Sequence, residues 1–255
     1  MKRAGLPSAA LALAVVSLLA PSCRRSAKPE GEVRSVPGAP VVLIVVDTLR
    51  SDRLPFYGYV SGVTPALSAL REDSILFESA WSPVPLTLPA HSSLFTGVLP
   101  GAHRVLDNGG YRLGTSPPTL ADLLKREGYE TGGAVSCVVL SGSTGIARGF
   151  DRWDDRIEPS EPGLAANRVQ RPGRETVERL EEWLGGVKGE RVFAFLHLFE
   201  PHAPYEAPEP YRSRFADPYD AEVAAADTAV GVFLDGLKRR GLYEKSLVVF
   251  LSDHG

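Results

Sequence analysis

The run Val41-Val42-Leu43-Ile44-Val45-Val46 contains no polar residue and no alternation, and Asp47 follows it directly. Such a run fits a strand buried on both faces, as in a parallel sheet, and does not fit a half-exposed antiparallel strand. Val192 to Leu198 has the same character. So does Leu247 to Leu251, which leads into Ser252-Asp253-His254-Gly255. Helical patterns lie between these runs. Alternation of this kind predicts an α/β fold with a mostly parallel central sheet and helices on both faces. Ligands of such sheets bind outside the carboxyl ends of the strands. Asp47, His202 and the pair Asp253-His254 all fall just past such ends.

The helix signals are local. Pro65 to Asp73 reads as a short helix with Thr64 as N-cap and Pro65 at its first position. Ala90 to Gly97 reads as a helix entered just after Pro89. Thr119 to Glu127 places Leu120, Leu123 and Leu124 on one face and stops at Gly128. Glu175 to Leu184 carries the stripe Val177, Leu180 and Leu184. Ala221 to Arg239 turns Val230, Phe233, Leu234 and Leu237 inward. Thr131 to Val139 is a further strand, and residues 141 to 172 read as irregular.

A chain of 255 residues accommodates one large domain plus a tail. The organisation expected is a signal peptide over 1–22, a tether over 23–39 and a catalytic domain over 40–255. Lys2 and Arg3 precede the apolar stretch Ala9 to Leu19, which is too short to span a bilayer as a helix. Cys23 then fits the lipidated cysteine of a bacterial lipoprotein, although Ala20 and Ser22 also suit an ordinary signal-peptidase cut. Both routes place the protein outside the cytoplasm, in the periplasm or tethered to a membrane. The formal net charge of -3 carries no basic stripe, which argues against a nucleic-acid partner. Cys137 is the only other cysteine, so no disulfide is expected in the domain, and its expected role is a small buried hydrophobe.

Two strands of one parallel sheet bring their carboxyl ends to the same side. The carboxylates of Asp47 and Asp253 and the imidazole of His254 are therefore placed to converge on one divalent cation. Thr87 lies in Pro85-Leu86-Thr87-Leu88-Pro89-Ala90-His91, just before a helix start. There a hydroxyl faces the positive end of the dipole and free backbone N–H groups. That position suits an alkoxide nucleophile and a tetrahedral anion.

Four segments together resemble the sulfatase branch of the alkaline phosphatase superfamily, over roughly residues 40 to 255. They are Val42 to Arg50, Thr87-Leu88-Pro89-Ala90-His91 through Gly97, Pro201-His202-Ala203-Pro204-Tyr205, and Ser252-Asp253-His254-Gly255. Leu106 to Leu113 also looks like bacterial sulfatase-like proteins. The resemblance implies an alkaline-phosphatase/sulfatase-like fold, truncated at the C-terminus because such domains continue past the last motif. It implies that Asp47, Thr87, Asp253 and His254 hold the metal. Thr87 would be the nucleophile, and His202 would bind the transferred group or protonate the leaving group. His91 stands where sulfatases place an arginine that supports the nucleophile.

The chain departs from the family at several points. Sulfatases mature a Cys or Ser into formylglycine, and Thr87 does not follow that route. Thr is typical of phosphodiesterase, phosphonate-hydrolysing and phosphoethanolamine-transferring relatives. Acidic ligands for a second metal are absent unless Glu200 serves. Gly133 to Val139 lacks the Lys and His that sulfatases place there. The expected activity is an exported metal-dependent hydrolase of sulfate or phosphate esters. The alternatives are a phosphodiesterase or phosphoethanolamine-type transferase on envelope lipids or glycans, and an inactive fragment or binding module. Calcium, manganese and zinc, with magnesium, all remain open as the metal. Among the other polar residues, His197 reads as a hydrogen-bonded core histidine, or one that supports a ligand from behind, rather than as a ligand itself, and His103 as a solvated loop residue. Arg50 is either a substrate contact or half of an ion pair. Asn108 is first of all a turn former, with a substrate contact as the lesser reading.

Overall fold

A computed structural model describes residues 36–158 and 169–255, and residues 37–255 form one compact unit. The signal peptide expected over 1–22, Cys23 and nearly all of the 23–39 tether lie outside the described residues. Five strands form one sheet in the order β3-β2-β4-β1-β5. They are β1 (Val41–Val46), β2 (Glu130–Val135), β3 (Arg152–Asp154), β4 (Val192–Leu198) and β5 (Leu247–Ser252). Every pairing is parallel.

The unbroken apolar runs serve two faces at once. Val42, Ile44 and Val46 of β1 enter one core, with Leu180 of α5 (Gly173–Gly186) and Phe233 of α7 (Pro218–Arg239). Leu43 and Val45 enter the other, with Leu88 and Phe95 of α2 (Thr87–Thr96) and with Phe193 and Phe195 of β4. Side chains alternate across a strand, so a strand between two helical layers needs apolar residues at every position. Each such side chain contributes about 1.5–3 kcal/mol of burial. Among the described residues β5 pairs only with β1, and its Leu247 and Val249 are exposed. No helix among the described residues is long and apolar enough to cross a membrane.

Several expectations are corrected. The strand expected over Thr131 to Val139 ends at Val135, because Arg171 takes its carbonyl and the Arg171 N–H takes that of Ser136. Residues 141 to 172 are not wholly irregular, since β3 pairs with Gly132, Gly133 and Ala134 of β2. The two glycines admit indole rings: a Cβ on Gly132 would sit 2.5 Å from Trp183, and one on Gly133 2.6 Å from Trp153. Residues 159–168 of that stretch lie outside the described residues.

Thr64 precedes α1 (Pro65–Glu72), but its side chain makes no cap bond. Asp227 of α7 caps that helix instead, accepting the N–H groups of Leu67 at 2.8 Å and Ala66 at 3.1 Å. In α4 (Leu120–Arg126) Leu123 is 47% exposed and Ala121 is the buried residue. The Thr119–Asp122 capping box fixes where this short helix starts, and that phase turns Leu123 away from Leu120 and Leu124. Two short helices, α3 (Pro100–His103) and α6 (Tyr211–Arg214), carry no periodic signal of their own.

Candidate metal and nucleophile site

The register aligns Val46 of β1 with Leu198 of β4 and with Ser252 of β5. Asp47, Asp253 and His254 therefore leave the sheet at one end. The loops behind β1 and β5 clasp each other. Asp253 Oδ1 accepts the Thr48 N–H at 3.2 Å and the His254 N–H at 2.8 Å. Ser252 Oγ accepts the Leu49 N–H at 3.0 Å. Thr48 has a φ of 53°, a costly conformation for a β-branched residue. Tyr219 helps hold it there: its hydroxyl donates to the Thr48 carbonyl at 2.7 Å and accepts the Arg50 N–H at 2.9 Å.

Thr87 is the first residue of α2, not the residue before it. Its hydroxyl donates to Asp47 Oδ2 at 3.3 Å. The helix start is less open than expected. Asn108 Oδ1 accepts the Leu88 N–H at 2.9 Å, and Pro89 has no N–H to offer, so two of the four positions that usually donate to an anion are closed. His91, one turn on, is fully buried. Its Nδ1 lies 2.8 Å from the Thr87 carbonyl, which makes that nitrogen the donor and leaves a lone pair on Nε2.

The carboxylates are enclosed. Asp47 is fully buried and Asp253 is 4% exposed. Burial pushes Asp47 up to about 7, against the pull of His202 and the Thr87 hydroxyl. Burial, reinforced by the charge of Asp47, pushes Asp253 up to about 8. Burial takes His254 down to about 4, with His202 and His197 adding to it, and holds His91 well below the ordinary histidine range. Both imidazoles are thus neutral, and His91 supplies no positive charge where the resemblance implies an arginine.

Asp47 Oδ1, Asp253 Oδ2 and His254 Nε2 are buried without a hydrogen-bond partner. His254 Nε2 stands 3.7 Å from Asp47 Oδ1 and 3.5 Å from Asp253 Oδ2. One donor atom from each residue falls within 4.8 Å of the other two. Buried polar atoms ordinarily find partners. Two carboxylates and a neutral imidazole that share orphaned acceptors fit a divalent cation.

His202 is half-buried in the turn after β4. Its ring stacks on Phe199 with centroids 4.3 Å apart, and its Nδ1 meets the Ala203 carbonyl at 2.6 Å, which leaves Nε2 for a substrate. Glu200 in the same turn accepts the Gly173 N–H at 2.8 Å and so caps α5. Arg50 forms a bidentate, exposed pair with Asp52. His197 is fully buried, but neither ring nitrogen has the hydrogen bond expected of a core histidine. His103 is not solvated: it is 4% exposed, with Nε2 2.9 Å from Ser93 Oγ, and ties α3 to α2. Asn108, Tyr219 and Ser93 were the supports that sequence reasoning missed. Only the asparagine carried a hint, as a polar residue beside two glycines.

A parallel sheet between two helical layers, with acidic residues and a hydroxyl at its carboxyl end, defines an α/β enzyme-like fold. The chain matches the family described as Sulfatase over residues 40–255 and belongs to that family. It is 28% identical to human arylsulfatase A over 264 aligned residues, covering 84% of this chain and 52% of that protein. It is 27% identical to the ulvan-active sulfatase of Formosa agariphila, covering 94% of this chain and 55% of that protein. The chain thus spans about half the length of the curated relatives it matches. The phosphonate monoester hydrolase of Agrobacterium radiobacter shares the fold, with a TM-score of 0.71 at 21% identity over 85% of this chain and 62% of that one.

Proposed function

We propose that the protein is a metal-dependent hydrolase of sulfate esters, with Thr87 as nucleophile and with Asp47, Asp253, His254 and the Thr87 hydroxyl as metal ligands. One observation carries this reading: Asp47 Oδ1, Asp253 Oδ2 and His254 Nε2 converge, buried and unpartnered, beside a hydroxyl at a helix start. A divalent ion would offset both carboxylates, withdraw charge from the ester oxygens and lower the pKa of the Thr87 hydroxyl.

The chain's own residues supply the rest. Asp47 Oδ2 accepts the Thr87 hydroxyl and orients Oγ1. Asn108 and His91 hold the first turn of α2, and with it the position of Thr87. Oγ1 attacks sulfur as its proton passes to Asp47 Oδ2, the bond to the ester oxygen breaks, and a His202 ring protonated on both nitrogens gives that oxygen the Nε2 proton. Water then releases sulfate from Thr87.

Thr87 itself favours a second reading. A threonine does not mature to formylglycine, and an unmodified hydroxyl nucleophile suits a phosphodiester or phosphonate ester, or transfer to an acceptor alcohol on envelope lipids or glycans. Parallel assays with aryl sulfate and aryl phosphodiester substrates, on chelated protein with each divalent ion restored, separate the two. A sulfate preference supports the first reading and a phosphodiester preference the second. Turnover that chelation leaves untouched contradicts both. Export and a lipid anchor at Cys23 belong to this reading too, tested by cell fractionation of wild type and Cys23→Ala.

A further inference from the structure

A second group of donors lies deeper than the first and shares one residue with it. A carboxylate oxygen of Asp47, the Cys137 thiol and a ring nitrogen of His197 lie within 4.8 Å of one another. Asp47 follows β1, Cys137 follows β2, and His197 stands in β4 between them, paired with Val45 on one side and Val135 on the other. None is more than 1% exposed. His197 makes the strongest demand. Both of its ring nitrogens are buried without a partner, and Nε2 is 3.5 Å from Asp47 Oδ2. An imidazole always presents a donor or a lone pair at each nitrogen, so an enclosed ring with no hydrogen bond at either one calls for a partner.

We propose that Asp47, Cys137 and His197 form a second, fully enclosed metal site that takes zinc. The donor set argues for this ion. A thiolate and an imidazole select zinc over calcium or magnesium, whereas the outer group offers two carboxylates and one imidazole. With both ions bound, the carboxylates of Asp47 and Asp253, the Cys137 thiolate and an alkoxide at Thr87 together balance two dications, which a dry site requires. The carboxylate of Asp47 suits a bridge, with Oδ1 3.7 Å from His254 Nε2 on the outer side and Oδ2 3.5 Å from His197 Nε2 on the inner.

Cobalt(II) reconstitution of the metal-stripped protein tests the proposal, because cobalt bound to a thiolate shows a near-ultraviolet charge-transfer band. The expected result is two equivalents of cobalt and a clear band. Cys137→Ser should lose the band and one equivalent, which also excludes Cys23 as its source. Asp253→Asn should lose one equivalent and keep the band. Saturated wild-type protein without the band overturns the inner site, as does a band that survives Cys137→Ser. One equivalent without the band removes the inner site and leaves the outer one standing. One equivalent with the band keeps the inner site and removes the outer one.

Discussion

The Thr87 hydroxyl donates to Asp47 Oδ2 at 3.3 Å across forty residues of sequence, joining the start of α2 to the end of β1. Two elements fix that distance: the sheet places Asp47, and the first turn of α2 places Thr87. What disturbs either element disturbs the proposed chemistry.

Asn108 secures the α2 side by accepting the Leu88 N–H. Asn108→Ala should cost about 1 kcal/mol, the usual loss of a helix cap. It should lower kcat more than it raises KM, because Thr87 loses its fixed position while Asp47, Asp253 and His254 stay in place. Asn108→Asp keeps the acceptor and should recover most of both. Thermal melts and steady-state kinetics on the two variants check this. Unchanged kcat in Asn108→Ala contradicts it.

Gly173 protects the other wall. A Cβ there would stand 2.8 Å from Glu200 Oε2 and 3.1 Å from Leu198 Cδ2. Gly173→Ala should displace Glu200 and, with it, the turn that carries His202. The expected result is a fall in activity of roughly tenfold or more, the scale of a misplaced proton donor, with metal content at the outer site unchanged. Metal analysis beside kinetics separates this from loss of the site.

The buried acids predict a pH dependence of stability that bound metal weakens. Asp253, raised to about 8 by burial and by Asp47, binds a proton in the folded protein that it has lost in the unfolded one. Its contribution to stability is therefore full below roughly pH 4 and disappears as pH rises through the folded value. In chelated protein, Asp253→Asn should melt progressively higher than wild type as pH climbs from about 4 to about 8, by several degrees at the top. Saturating divalent ion should narrow that gap, since wild type gains about 2.7 kcal/mol at a hundredfold excess over Kd and the variant gains less. Parallel melting curves at all pH values would contradict the assignment.

Much of this frame was legible because it depends on local patterns. Val41–Val46 and Val192–Leu198 are apolar at every position, and a strand packed on both faces leaves no alternative. Three segments far apart in sequence pointed to one end of the sheet because parallel strands share a direction. What stayed hidden depends on partners distant in sequence. Strand β3 has two charged residues among its three, and it pairs because Gly132 and Gly133 make room for indole rings. His103 is buried by Ser93 of α2, and Asp227 caps a helix 160 residues earlier. The donors around Cys137 and His197 read as plain core because nothing in a strand's sequence says which neighbour its polar atoms meet.

The central claim is that Thr87 carries the transferred group. Acid quenching of the metal-loaded protein during turnover of an aryl sulfate, followed by peptide mass spectrometry, reads this directly. The account predicts a sulfuryl adduct on the peptide that contains Thr87, lost together with turnover in Thr87→Ala. An adduct on another residue, or full turnover in Thr87→Ala, would contradict it.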